Sequence, residues 1–301
     1  MNSSTSNNST AYGLRPTASS SEPSTTAYGL RPTASKEMLH VLGTGNALVY
    51  NCFNTCWVLD TPNGKLLVDT GGGNGILTQL KKANIDLNSI HSVFITHCHC
   101  DHLNGLVWVL RMIATAMNNG KYDGGLTIYC HDELAGMIFP MCRFMLGEKL
   151  SKHFGERINI TEVHDGEMLE ICGSVFTFFD IQSTKARQFG FLAELSCGRL
   201  AFMGDEPVNP ACEAYAENAD WLLSEAFCLY GEREEFQPYK KHHSTVKDAA
   251  ELAERLKAKN LLLWHTEEKN LANRRELYTA EAKQYFSGNV FVPDDLDVVE
   301  L

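Results

Sequence analysis

The chain has 301 residues, 44% of them hydrophobic and 21% charged, with 37 acidic against 26 basic side chains and a formal net charge of -11. That length allows one large α/β domain or two small ones, and the acidity disfavours a polyanion such as nucleic acid as a partner unless Lys and Arg cluster locally. No stretch reaches the ~20 uncharged apolar residues of a membrane span; the nearest, LNGLVWVLRMIATAM, is interrupted by Arg111 and reads as a buried helix.

Residues 1–37 are rich in Ser, Thr, Asn and Pro, and the string TAYGLRPTAS occurs in them twice. So little apolar surface cannot offset the entropy of ordering, so this part is expected to be a disordered extension ahead of a domain over 38–301. It lacks the apolar core of a secretory signal; its Ser and Arg content keeps organelle targeting as an alternative to a cytoplasmic location. From Met38 onward, LHVLG, CFNTCWVLD and KLLVD read as strands joined by the Gly-rich turns VLGTGNA and VDTGGGNG. A helix over GILTQLKKA leads into the strand HSVFIT, followed by a helix over about 102–118, the strand LTIYC and a helix from Asp132. Strands follow at INITEV, EMLEI, SVFTFFD, GFLAELS, RLAFMGD and DWLLSE. Then come the helix TVKDAAELAERLKA, the strand NLLLW, a helix through RRELYTAEAKQYF, and the strand VFVP. This order suits two packed sheets with helices outside each, an α/β sandwich rather than one doubly wound sheet.

The ten cysteines show no C-x-x-C pair, which fits reduced thiols in a cytosolic setting. Chemistry concentrates in THCHCDHLNG, residues 96–105. If the strand HSVFIT continues, His97 and His99 share one direction and Cys98 and Cys100 the other. Asp101 and His102 follow where the strand turns into a helix, so four N/O donors can converge on a pair of hydrolytic metal ions. The cysteines are expected to be small hydrophobes on the opposite face. A four-thiolate zinc site with Cys52 and Cys56 would need unusual spacings.

FITHCHCDHLNG resembles the His-x-His-x-Asp-His signature of the metallo-β-lactamase superfamily, over essentially all of residues 38–301. VLGTGNA and LLVDTGGG resemble turns of the branch that includes ribonuclease Z, the tRNA 3′-processing endonuclease. LAFMGDEPV is similar to the segment whose aspartate bridges two metals, here Asp205, and LLLWHTEE to the one that ends in the closing histidine, here His265. The resemblance implies an αββα sandwich and two divalent ions, most readily zinc, with iron or manganese as alternatives. It implies that Asp101, His102, Asp205 and His265 hold the second ion, with Asp101 also a catalytic residue. The first ion would take His97, His99, Asp205 and a further histidine from the loop that here reads FFDIQSTKARQFGF. That loop has no histidine; Gln182 stands about where the ligand belongs and is a weaker donor, while His164 lies a whole strand upstream.

Two such ions roughly 3.5–4 Å apart would acidify a bridging water. KHHSTVKDAAELAERL resembles the segment that supplies the general acid, which makes His243 the catalytic histidine and places His242 beside it. Ser244 or Thr245 could equally be a helix N-cap with Asp248. Lys185 and Arg187 could anchor a phosphate or carboxylate, or be a solvated pair. The glycines at 43, 45 and 71–73 permit tight turns rather than nucleotide binding.

These residues point to a metal-dependent hydrolase of a phosphodiester or other small ester. No basic Gly-Pro-rich arm for gripping tRNA lies between His102 and Gln182. The alternative is a ligand-binding or regulatory domain whose first metal site is degraded at Gln182. A di-iron redox protein is disfavoured, because oxygen-reducing relatives carry a carboxylate where His99 stands. The sequence does not fix the oligomeric state and is compatible with a homodimer.

Overall fold

The computed structural model describes residues 36–301. The repeat TAYGLRPTAS, and with it the predicted extension up to residue 35, lies outside the described residues. Glu37 belongs to the folded part, since its buried carboxylate takes the N–H and hydroxyl of Ser196.

The first half of the domain contains β1 (Met38–Gly43), β2 (Cys56–Thr61), β3 (Gly64–Val68), α1 (Gly75–Lys82), β4 (Ile90–Phe94), α2 (Cys100–Leu103), α3 (Leu106–Asn118), β5 (Leu126–Cys130), α4 (Asp132–Leu146), α5 (Glu148–Ser151) and β6 (Ile158–Glu162). The second contains β7 (Met168–Ile171), β8 (Ser174–Asp180), β9 (Phe189–Leu195), β10 (Gly198–Phe202), α6 (Glu213–Ala216), β11 (Trp221–Glu225), α7 (Arg233–Phe236), α8 (Val246–Arg255), β12 (Asn260–Trp264), α9 (Arg274–Ala282), β13 (Asn289–Phe291) and β14 (Val298–Glu300). One seven-stranded sheet runs β14-β1-β2-β3-β4-β5-β6 and the other β13-β12-β11-β10-β9-β8-β7. Each begins antiparallel, at β1-β2-β3 and at β7-β8-β9-β10, and continues parallel to its far side. Continuous apolar runs such as NLLLW of β12 suit strands covered on both faces. The predicted αββα sandwich is what the chain forms.

Three layers of core follow from that topology. The helices α1, α3 and α4 close over the outer face of the first sheet through Leu80, Leu110 and Ile138, and α8 and α9 cover the second through Ala250, Leu252 and Tyr278. Between the sheets, Trp57 packs on Phe191, Phe202 and Trp264 at ring separations of 6.0, 5.5 and 5.5 Å. Phe191 also meets Phe94 and Phe176, so Phe191→Ala should cost about 3–5 kcal/mol in a urea unfolding titration.

The helix expected over 102–118 is interrupted. α2 stops at Leu103 and α3 starts at Leu106, because Thr70 binds the carbonyl of His102 through both its N–H and its hydroxyl. A Cβ on Gly105 would lie 1.9 Å from the Thr70 carbonyl oxygen, so only glycine lets the two segments meet there. Gly43 plays the same part under the first turn, where a Cβ would come within 2.1 Å of the Asn54 carbonyl oxygen. β14 was not expected from the sequence; its three residues pair with β1 at the edge of the first sheet. The parallel strands β3, β4, β10, β11 and β12 all deliver their C-terminal ends to one region of the sandwich, the place where open α/β sheets bind ligands.

Candidate metal centre

β4 ends at Phe94, so His97 and His99 stand in an extended loop beyond the strand and not in the strand itself. Alternation nevertheless persists: His97 is buried, Cys98 exposed, His99 half-buried and Cys100 exposed. Asp101 and His102, both buried, open α2. Behind them Asp69, at the end of β3, is the organising anion. Its carboxylate accepts from the Thr96 N–H (2.9 Å) and hydroxyl, and lies 2.7 Å from Nδ1 of His102. Fixing Nδ1 in this way directs Nε2 of His102 into the site. His97 is braced likewise, with the Thr96 hydroxyl at 2.9 Å and the Gln188 amide at 3.2 Å from its Nδ1. The Gln188 amide turned by 180° would place Oε1, which otherwise has no partner, on the Nδ1–H that a metal-ligating Nε2 requires.

Asp205, just past β10, and His265, just past β12, complete the convergence. Oδ2 of Asp205 lies 3.7 Å from Nε2 of His97, 3.5 Å from Nε2 of His102 and 3.5 Å from Nε2 of His265. Oδ2 of Asp101 lies 3.3 Å from His102 Nε2 and 3.7 Å from His265 Nε2. Donors about 2.0–2.1 Å from one tetrahedral ion stand about 3.3 Å apart, so this spacing fits a shared cation. Nε2 of His102 and of His265 are buried without any hydrogen-bond partner, although carboxylate oxygens surround them. Two nitrogens orphaned among carboxylates are accounted for by an ion. Nε2 of His97 and Nδ1 of His99 are closer, at 2.8 Å, and share a hydrogen bond. Asp69 and His265 both adopt left-handed backbone (φ 55° and 56°), so conformational strain collects at the centre.

Charge follows the same logic. Burial pushes the pKa of His97 well below the ordinary histidine range, leaving the ring neutral. Burial acts the same way on His102, but Asp69 and Asp101 outweigh it and hold its proton well above that range. Burial alone would raise Asp205, yet His97, His102 and His265 keep it ionised far below the usual carboxylate values. A metal taking Nε2 of His102 must displace that proton. Metal uptake at neutral pH should therefore release protons and weaken as pH falls, measurable by calorimetry in buffers of different ionisation enthalpy.

Gln182 is exposed, with left-handed backbone (φ 59°) and its N–H on Asp180, and it is not among the residues lining the cavity over the donors. His164 is exposed as well. Gln182 thus does not join the converging donors, which among the described residues cluster as His97, His102 and Asp205 beside Asp101, His102 and His265, with a third cluster at Glu225, His243 and His265. The cysteines differ from expectation: with β4 finished at Phe94, the far side of the loop is solvent, so Cys98 and Cys100 are exposed and not buried. A thiol reagent should label these two ahead of the buried Cys56, Cys130 and Cys142, and Cys98→Ser with Cys100→Ser should leave metal content unchanged by elemental analysis.

The cavity over the donors has a volume of about 340 Å³ and is lined by His99, Asp101, Asp205, His243 and His265, with Lys185 and Lys241 among the other walls. A larger hollow of about 1080 Å³ runs along α9, β13 and β14, but no histidine or cysteine lines it. His243 lies flat on Phe227 (4.9 Å, 6°) and 5.2 Å from the His265 ring. Its Nδ1 faces Oε2 of Glu225 at 3.6 Å, and neither atom has another partner. Glu225, buried at the end of β11, escaped the sequence reading because a Glu closing an apolar strand looks like the start of a turn. His242 turns away with φ 60° and binds Thr184 at 2.7 Å. Ser244 gives its N–H to Glu225, whereas Thr245 caps α8 in a reciprocal box with Asp248. Arg187 is spent on Asp132 and Asp180, outside the cavity.

A family model described as anti-Pycsar protein Apyc1 matches residues 38–286. The chain belongs to the Apyc1 family. The family member is 26% identical over 295 residues to a ribonuclease Z of Pyrobaculum islandicum, an alignment covering 86% of this chain and 96% of that one. Its fold is that of the metallo-β-lactamase fold protein YhfI from Bacillus subtilis (TM-score 0.73, 19% identity, 89% and 100% of the two chains). A diphosphatase of the PhnP family also shares it (TM-score 0.67, 17% identity, 89% and 98%). Relatives and donor set together make the protein a metal-dependent hydrolase with ribonuclease Z affinity.

Proposed function

We propose that this hydrolase cleaves a small phosphodiester with two divalent ions, the first held by His97, His99 and Asp205 and the second by Asp101, His102, Asp205 and His265. The observation that carries this reading is the single oxygen of Asp205 shared among three imidazoles at 3.5–3.7 Å, beneath a cavity of only about 340 Å³. When bound, the ions supply an activated water and positive charge against the phosphoryl oxygens. His243 holds a proton toward the leaving oxygen, and Glu225 orients that ring through Nδ1. Asp69 and Gln188 keep His102 and His97 in register. Nitrogen and carboxylate donors at tetrahedral spacing favour zinc, with iron or manganese as the alternatives. The ten free thiols favour a reducing, cytoplasmic setting.

Cavity size and the acidic charge favour a small molecule over tRNA, and between His102 and Gln182 the chain forms only α3, α4, α5 and strands of ordinary length. Metal analysis of protein purified without chelators should give two ions per chain, and a panel of small phosphodiesters, lactones, thioesters and pre-tRNA should show turnover of the diester. Efficient cleavage of pre-tRNA without any small diester would overturn the reading.

The three-donor first set favours a second reading, a ligand-binding domain with a degraded site. One bound ion per chain and no turnover of any member of the panel would support it. Two ions per chain with turnover of a small diester would dismiss it.

A further inference from the structure

The two proposed ions use His265 but leave Glu225 and His243 without a metal. With His265 these residues form a group whose ligand atoms all lie within 4.8 Å of one another, and all three are buried. Nδ1 of His243 and Oε2 of Glu225 stand 3.6 Å apart. That gap is longer than an ordinary N–H···O hydrogen bond and close to the ~3.3 Å between two donors of one tetrahedral zinc. Neither atom has a hydrogen-bond partner, so a buried acceptor and a buried ring nitrogen face each other unsatisfied.

Both atoms are held where they are. The other oxygen of Glu225, Oε1, accepts the Ser244 N–H, which leaves Oε2 for the histidine. Glu225 closes β11 in register with Trp264 of β12, the residue before His265. The His243 ring lies flat on Phe227 and its backbone N–H binds the Pro238 carbonyl (2.9 Å), so Nδ1 cannot swing away without leaving the aromatic face. His243 also lines the cavity, which gives a cation from solvent its path to the pair. His265 directs Nε2 toward Asp101 and Asp205. A neutral imidazole offers one lone pair, so His265 is committed there, and an ion at the pair would have two protein ligands completed by water. Fewer protein donors than either proposed set make this the weakest of the three positions.

We propose that Glu225 and His243 form a further, inhibitory zinc site that fills only after the hydrolytic ions. The inhibition rests on the hydrolase reading, in which His243 gives a proton to the leaving oxygen. An ion on Nδ1 takes the place of a proton, which passes to solvent. The ring then keeps only its Nε2–H, and losing that would leave an imidazolate, so proton donation stops. Free zinc thereby sets whether the acid works, without removing the ions that activate water.

The test dialyses the holoenzyme against buffers of rising free zinc, reading ions per chain by elemental analysis and rates with an unsubstituted phenyl diester and a 4-nitrophenyl diester. One more ion per chain should load at higher zinc than the rest. Over the same range the phenyl diester rate should fall about tenfold or more, while the 4-nitrophenyl diester, whose phenolate leaves unaided, stays within about threefold. Glu225→Gln and His243→Ala should each keep the earlier ions and need at least about tenfold more zinc to bind the extra one. Magnesium, which prefers oxygen donors, should neither load the pair nor slow the phenyl diester. The proposal is overturned if no extra ion binds at any zinc concentration the protein tolerates, if it binds both variants as tightly as the parent, or if the two diesters are slowed equally. Failure of the hydrolase reading would appear separately, as no turnover of either diester with the extra ion still lost in both variants.

Discussion

Asp205→Asn is expected to leave a folded protein that holds neither ion firmly. Asp205 is the residue common to both proposed donor sets, with Oδ2 within 3.7 Å of three imidazole nitrogens. An amide keeps the volume but removes the negative charge, and the charges of two dications then face Asp101 alone. The loss of turnover should be at least the ~10²–10³-fold seen when one preorganised electrostatic group is removed. Elemental analysis should show less than one ion per chain, while far-ultraviolet circular dichroism stays unchanged. Asp69→Asn gives the contrast, because Asp69 touches His102 and Thr96 rather than an ion. It should cost about 10–100-fold in metal affinity, with both ions still loaded at high metal concentration. Equal losses in the two variants would mean that Asp205 only orients its neighbours.

The sequence made the layers of this fold legible because its strands are short apolar runs with turns between them, and periodicity survives burial. It missed β14, three residues whose pairing with β1 depends on a return from β13 that no local signal encodes. At the site, the six proposed donors are readable from strand ends and the histidine-rich run. The rest depends on backbone angles and distant partners. Which of His242 and His243 enters the cavity is decided by a φ of 60° at His242. Arg187 looks like an anion anchor until Asp132 and Asp180 take it up from 55 and 7 residues away. Lys241 went unnoticed beside two histidines, although it lines the cavity. Gln182 is placed by counting along a loop, and a left-handed backbone there leaves it exposed, outside the cavity that Lys185 of the same loop lines. Cys98 and Cys100 were read as interior because the strand was carried past Phe94, where it actually stops.

His243→Ala should retain both ions and still lose rate, by an amount set by the leaving group. The ring sits between Phe227 and His265 and is not a ligand of either ion in the proposed reading, so its removal should disturb neither proposed donor set. A general acid contributes typically 10²–10⁴-fold, but only where the departing oxygen needs a proton. With a 4-nitrophenyl ester, whose phenolate leaves unaided, the variant should lie within about tenfold of the parent. With an alkyl or unsubstituted phenyl ester the deficit should approach the full ~10²–10⁴-fold range. Glu225→Gln should show the same dependence more weakly, since the amide can still meet Nδ1 across the present 3.6 Å gap but cannot balance a charged ring. Glu225 also accepts the Ser244 N–H, so the melting temperature of this variant must be compared alongside its rate. A loss independent of the leaving group in His243→Ala would assign this histidine to substrate positioning rather than proton transfer. The steepness of rate against leaving-group acidity, measured in the parent and both variants, separates the two roles, because a positioning residue shifts that line without changing its slope.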